Sequence, residues 1–412
     1  MNVPLRKGNV NMNGVFEMHP KVYVKQGKNE IPVFVLPDAT GTSKGQLEEV
    51  CTKLDRPVCY FRDLRLDDKN IPTEISLSRL AKSYIYSIVT ALEEIKYDSL
   101  CPILVIGYSG GGALLNVMMQ QIQESKNNND DDKDVDDEEK RRFSEAIDKI
   151  QSRYILPVYI DSVAPHLISE MPGQDFANHL IEVLLKIKGK YSQIALNGAI
   201  VNGKPSSRWP FTESKIQQLN WLRENLQIRV KDTQADLVQK IIENFLRDFK
   251  VMIANHVCYC GYSSISKISY GAAIASSKTV NDFHDLSKDM YLGYPYESSV
   301  AQLILEGTHY TILSGVNAEK ISSFLNDVVF KSDNDLIFNA TVHGMCQLIQ
   351  KYGKLSPERR TNYVRRTCST FFEAAPTNNF KKLRQNLMQV LESYRANEYQ
   401  EPGVTTLAME MS

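Results

Sequence analysis

The feature that most constrains this chain is an apolar run that breaks at a glycine-rich turn and resumes as a helix. Residues 102–106 read Pro-Ile-Leu-Val-Ile, residues 107–112 read Gly-Tyr-Ser-Gly-Gly-Gly, and apolar residues at helical spacing follow from Ala113 to Gln123. A short run rich in branched aliphatic residues is expected to be a buried strand. The turn after it must be sharp, because side chains at Gly107 and Gly111 would collide across it. Such a turn forces Ser109 into a strained backbone and leaves its hydroxyl exposed. Gly107-Tyr108-Ser109-Gly110-Gly111 matches G-x-S-x-G and lacks the Lys of a phosphate-cradling G-x-x-x-x-G-K-[ST] loop. The start of the following helix favours negative charge, and the Gly110 N–H can donate to a developing oxyanion.

Elsewhere strand-like and helix-like patterns alternate. Strands are expected at 31–36, 57–61, 155–160, 268–275 and 300–305. Helices are expected at 43–54, opening at Ser43, and at 140–152. The clearest helix is 76–96, where Leu77, Leu80, Ala81, Tyr84, Ile85, Ile88, Val89, Leu92 and Ile95 share one face and Thr73 or Ser76 can cap the start. This alternation predicts an α/β architecture, a mostly parallel central sheet covered on both faces, with functional sites beyond the C-terminal ends of the strands. Residues 165–262 read as mostly helical, including 212–225 and 233–255. A helix at 318–330 and three more within 333–397 are expected to close the chain. Eight of the ten residues in 130–139 are acidic, so 126–139 is expected to be a solvated, disordered insertion.

Composition excludes several classes. Lys plus Arg number 48 and Asp plus Glu 49, a formal charge of −1, which argues against a nucleic-acid partner bound through bulk charge. No apolar run approaches the ~18 residues of a membrane span, so no transmembrane segment is expected. The N-terminus, MNVPLRKGNVNMNG, has no apolar signal region, and seven cysteines make an odd count; reduced thiols in the cytoplasm are expected. Cys258-Tyr-Cys260 lacks C-x-x-C spacing and a second pair, so no metal site is read there. From Lys351 to Arg384, nine Lys/Arg stand against two Glu. These are read as solvated helix faces, with docking to an acidic partner or an anionic surface as the alternative.

A serine hydroxyl is a weak nucleophile without a base. Of seven histidines, His309 alone follows a strand-like run, through Glu306-Gly-Thr, and precedes a helix. That completes the chain order Ser…Asp…His. Asp161, ending the strand at 155–160, is the expected acid, with Asp282 and Asp285 in reserve because the strand near 268–275 has no carboxylate after it until Asp282. A second oxyanion donor is expected from Pro37-Asp38-Ala39-Thr40-Gly41, through the Ala39 N–H. A carboxylate at Asp38 would repel negative charge there if it pointed inward.

Five segments carry a family resemblance: IPVFVLPDATG, ISLSRLAKSYIYSIVTALEEI, ILVIGYSGGGALL, LPVYIDSVAP and LEGTHYTIL. Together they resemble the thioesterase domains that end polyketide and nonribosomal peptide assembly lines, and the separate type II enzymes that serve them. The resemblance implies an α/β-hydrolase fold over residues 1–330, with 165–262 as a helical lid over an acyl channel and 331–412 as a C-terminal helical extension. It implies Ser109, Asp161 and His309 as a catalytic triad, and Ala39 with Gly110 as oxyanion donors. The implied chemistry is acyl transfer from a thioester to water through an acyl-serine, without metal or organic cofactor. The implied substrate is an acyl thioester of CoA or of a phosphopantetheinylated carrier protein. Two other readings use the same residues: an esterase or lipase on oxygen esters, and an idle hydrolase scaffold that binds protein.

Overall fold

The alternation read from the sequence is realised in a computed structural model. It describes residues 23–25, 32–54, 56–66, 75–94, 103–124, 137–151, 155–230, 235–262, 265–268, 271–283, 290–296 and 300–329. The chain opens with β1 (Tyr23–Lys25), β2 (Val33–Val35), α1 (Lys44–Thr52), β3 (Val58–Tyr60) and α2 (Leu77–Glu94). Next come β4 (Ile103–Tyr108), α3 (Gly110–Glu124), α4 (Asp137–Gln151) and β5 (Ile155–Ile160). A long insertion then carries α5 (Pro165–Glu170), α6 (Gly173–Gly189), β6 (Ile194–Gly198), β7 (Ile200–Val201), β8 (Lys204–Pro205), α7 (Lys215–Asn225), β9 (Leu226–Val230) and α8 (Ala235–Cys260). The last described part holds β10 (Ala272–Ser276), α9 (Ser277–Asp282), β11 (Met290–Tyr291), β12 (Tyr294–Pro295), β13 (Ala301–Leu305) and α10 (Gly315–Phe324).

Among the described residues, seven strands form the central sheet in the order β1-β3-β2-β4-β5-β10-β13. β1 is antiparallel to β3, and the other six run parallel. Every residue of β2, β4, β5 and β10 is buried, which is why these strands read as continuous apolar runs without alternation. The winding reverses beside β2: β3 lies on one side of it, β4 and all later parallel strands on the other. Loops leaving the C-terminal ends of β2 and β4 therefore diverge and open a crevice. The loop of Ala39 and the turn of Ser109 both stand there.

The helices covering the sheet follow from their apolar stripes. Leu77, Leu80, Ala81, Tyr84, Ile85 and Ile88 of α2 are all buried, and the Arg79 N–H donates to Ser76 Oγ at 3.2 Å, capping the start. Ser43 does not cap α1 through its side chain; its hydroxyl donates to the Phe61 carbonyl at 2.6 Å, tying the helix start to the end of β3. The disorder expected over 126–139 does not hold at the C-terminal end of that range. Residues 137–139 already belong to α4, where Glu138 pairs with Arg141 at 2.9 Å and Arg142 at 3.1 Å. Negative charge in a first helical turn is favourable, so this end of the acidic run has a helical use. Residues 125–136 lie outside the described residues, as do Asp285, Thr73, Ile95, Cys101 and the whole of 331–412, with its expected helices and basic stretch.

The insertion is less purely helical than expected. β6 pairs antiparallel with β9, and β7 with β8. β9 shows the period-2 signature, with Leu226, Ile228 and Val230 half-buried and Gln227 and Arg229 exposed. The insertion has its own apolar core, built by Phe176, Leu180, Leu184, Leu219, Phe245 and Phe249 among others, separate from the core around the sheet. α8 contributes to both, placing Phe245 and Met252 in the first and Tyr259 in the second. Among the described residues, no helix is long and apolar enough to cross a membrane.

Candidate active site

The turn between β4 and α3 is built as its glycines require. A Cβ on Gly107 would stand 2.4 Å from the Gly111 carbonyl oxygen, and one on Gly111 would stand 2.9 Å from the Pro37 oxygen. Ser109 has φ 53°, left-handed backbone that a non-glycine residue adopts at a cost of roughly 1–3 kcal/mol. Two bonds hold it there: the Gly112 N–H and the Ser162 hydroxyl both donate to the Ser109 carbonyl, at 3.0 and 2.8 Å.

Ser109, Asp161 and His309 come together from three strand ends. His309 Nδ1 lies 2.8 Å from Asp161 Oδ2 and its Nε2 lies 2.9 Å from Ser109 Oγ. A carboxylate can only accept, so Nδ1 carries the proton and Nε2 turns its lone pair to the serine hydroxyl. Asp161 is fully buried and also has left-handed backbone, φ 43°. Its carboxylate is satisfied by the Ser276 N–H at 2.7 Å, the Thr279 hydroxyl at 2.8 Å and the Ser276 hydroxyl at 3.2 Å. Asp282 lines the same cavity without a hydrogen bond to His309 among the described residues. Tyr108 holds the histidine loop: its hydroxyl donates to the His309 carbonyl at 2.6 Å and its ring stacks on the imidazole, centroids 4.9 Å apart.

Ala39 and Gly110 line the cavity beside Ser109. Neither backbone N–H has a partner among the described residues. Asp38 is turned into its own loop, where its Oδ1 accepts from the Thr40 N–H at 2.8 Å and the Thr40 hydroxyl at 2.6 Å.

The cavity encloses about 930 Å³ between the strand ends and the insertion. Its helical side carries His179 of α6 and His256 of α8, with Nε2 atoms 3.3 Å apart. His256 Nδ1 donates to the Met252 carbonyl at 2.8 Å, so its Nε2 accepts from His179. Burial lowers both imidazole pKa values, and His256, His309 and Lys186 lower that of His179 further. The pair is thus neutral at physiological pH. Lys186, on α6, sits 3.6 Å from the centroid of the Tyr310 ring. Burial pushes this ammonium down to about 8, against the opposing pull of Asp38 and Glu182. Ser162, Ser276, Thr279, His179 and His256 were not among the residues expected from sequence. Only Ser276 carried a local signal, as an N-cap whose hydroxyl accepts from the Thr279 N–H.

A mostly parallel sheet, a strand–turn–helix bearing Ser109 and a histidine loop after the last strand define an α/β-hydrolase fold. No family model and no curated protein matches the chain. Among solved structures it is similar to a four-domain nonribosomal peptide synthetase bound to AMP and glycine, at 14% identity and TM-score 0.45 over 75% of this chain and 20% of that one. The chain thus spans a fifth of that synthetase's length. It is similar to the NocB thioesterase domain of the nocardicin cluster at 10% identity and TM-score 0.42, covering 75% of this chain and 99% of that one. A third is SrfTE, the thioesterase domain that cyclises the lipopeptide surfactin, at 12% identity and TM-score 0.37, covering 74% and 94%.

Proposed function

We propose that the protein is a serine hydrolase that cleaves acyl thioesters through an acyl-serine. The observation that carries this reading is the continuous chain from Asp161 through His309 to Ser109, at 2.8 and 2.9 Å, beside two N–H groups without a partner among the described residues. Ser109 Oγ attacks the thioester carbonyl carbon while its proton passes to His309 Nε2. The carbonyl π pair moves to oxygen, where the Ala39 and Gly110 N–H groups receive the charge. Asp161 stays ionised and stabilises the imidazolium through the Nδ1 proton. Collapse breaks the C–S bond, the thiolate takes the proton from Nε2, and the acyl group remains on Ser109. Water then gives its proton to Nε2 and attacks the acyl carbon; collapse breaks the C–Oγ bond, Ser109 Oγ takes the proton back from Nε2, and the carboxylic acid leaves.

The choice of a thioester over an oxygen ester rests on the five sequence segments that resemble thioesterase domains. The insertion supports a role as lid, since α6 and α8 supply one side of the cavity. The acyl donor is read as CoA-linked or carried on a phosphopantetheinylated carrier protein. Hydrolysis of matched acyl-pantetheine thioesters and oxygen esters, with Ser109→Ala as control, tests the assignment. A Ser109-dependent preference for thioesters is expected. Preference for oxygen esters would move the assignment to an esterase on the same residues.

A further inference from the structure

Helix α8 touches both residues proposed above as oxyanion donors, Ala39 and Gly110. Asn255 and Tyr259 lie four positions apart and so share one face of the helix. Asn255 is buried, and its Nδ2 donates to the Ala39 carbonyl at 3.1 Å. Its Oδ1 in turn accepts from Arg65, a fully buried guanidinium paired with Asp63 through Nε and Oδ1 at 2.9 Å. The Asp63 N–H donates to the Gly41 carbonyl at 2.9 Å, so this network grips the Ala39 loop at two points.

One turn further along, the Tyr259 ring lies against Gly110. A Cβ on Gly110 would stand 2.7 Å from the phenol oxygen. Tyr259 is 4% exposed, lines the same cavity as Ala39, Ser109 and Gly110, and its hydroxyl has no hydrogen-bond partner among the described residues. Buried phenol hydroxyls ordinarily find one. A donor left open beside Gly110 fits a group that exists only during the reaction.

We propose that the Tyr259 hydroxyl is a third donor to the oxyanion, beside the N–H groups of Ala39 and Gly110. The inference rests on the acyl-transfer reading above and adds a catalytic residue supplied by the insertion. No proton moves in this role: as the Ser109 Oγ–C bond forms and the π pair passes to oxygen, the phenol keeps its proton and shares it as a hydrogen bond. Burial raises the Tyr259 pKa well above the ordinary tyrosine value, which keeps the donor protonated across the working range.

The test is Tyr259→Phe in the full chain, which removes the hydroxyl and keeps the ring. An acyl-pantetheine thioester serves as substrate and a trifluoromethyl ketone as the tetrahedral mimic. The expected result is a fall in kcat of about 10²-fold with KM unchanged, as for other oxyanion donors, and a matching loss of affinity for the ketone. A kcat equal to wild type, or a change confined to KM, overturns the proposal. A wild-type protein that neither hydrolyses the thioester nor is labelled by a fluorophosphonate overturns the acyl-transfer reading instead, and the proposal with it.

Discussion

On the strand side of the cavity, His309 hydrogen-bonds both Ser109 and Asp161, and Asp161 takes three further donors from Ser276 and Thr279. On the helical side, the Tyr259 hydroxyl and the Nδ1 of His179 have no partner among the described residues. The chain from Ser109 through His309 to Asp161 is complete before a substrate arrives, as preorganised electrostatic catalysis requires, while the Ala39 and Gly110 N–H groups stay open beside it among the described residues. The helical side keeps hydrogen-bonding capacity open for groups the substrate brings or the reaction creates. The difference follows from how each side is made. Strand ends are fixed in register by the sheet, so their side chains can be matched to one another. The insertion helices are held by a separate apolar core and meet the sheet mainly through α8.

Changes on the strand side should have the largest effects. Ser109→Ala is expected to lower kcat by roughly 10⁵-fold with an unchanged melting temperature, since the hydroxyl's only hydrogen-bond partner among the described residues is His309; steady-state kinetics and a melt together check it. Asp161→Asn should follow with a loss of about 10³–10⁴-fold, because an amide can present a donor where His309 Nδ1, Ser276 and Thr279 all donate. Pre-steady-state acylation should show the loss in the first step. Gly107→Ala acts on stability: its Cβ meets backbone at 2.4 Å, and a cost of about 1–3 kcal/mol should appear as a lower urea midpoint with unchanged slope.

The helical side should respond less and with a different signature. Lys186 holds its proton less tightly when folded than when unfolded, with a folded pKa of about 8 against 10.5. Between those values the unfolded chain binds more protons, so the wild type gains stability as pH rises through this window. Lys186→Met removes that gain. The unfolding free energy of wild type relative to Lys186→Met should therefore increase from pH 8 to pH 10, and a pH-independent difference would show that Lys186 does not titrate there.

The sequence made the strand side legible because its chemistry is tied to local signals. The glycines around Ser109 announce a tight turn, and Asp161 and His309 each follow an apolar run directly. The left-handed backbone at Asp161 was not foreseen, since an Asp after a strand is compatible with many turns. Neither was the start of α4 inside the acidic run: charge density argued for solvation, whereas the i,i+3 and i,i+4 pairs of Glu138 with Arg141 and Arg142 favour helix. The helical side was nearly silent. His179, Asn255, His256 and Tyr259 sit within helical periodicity, where a polar residue near an apolar stripe gives no sign of what it faces. The meeting of Asn255 with Ala39 and of Tyr259 with Gly110 comes from packing across more than 140 positions of chain.

Ser109 is proposed as a nucleophile activated by His309. The most direct test of this role is reaction of the folded protein with a fluorophosphonate, followed by mass mapping of the adduct. A single adduct on Ser109 is predicted, absent from Ser109→Ala and strongly slowed in His309→Gln. A folded wild-type protein that stays unmodified, or an adduct on another residue that persists in Ser109→Ala, would contradict it.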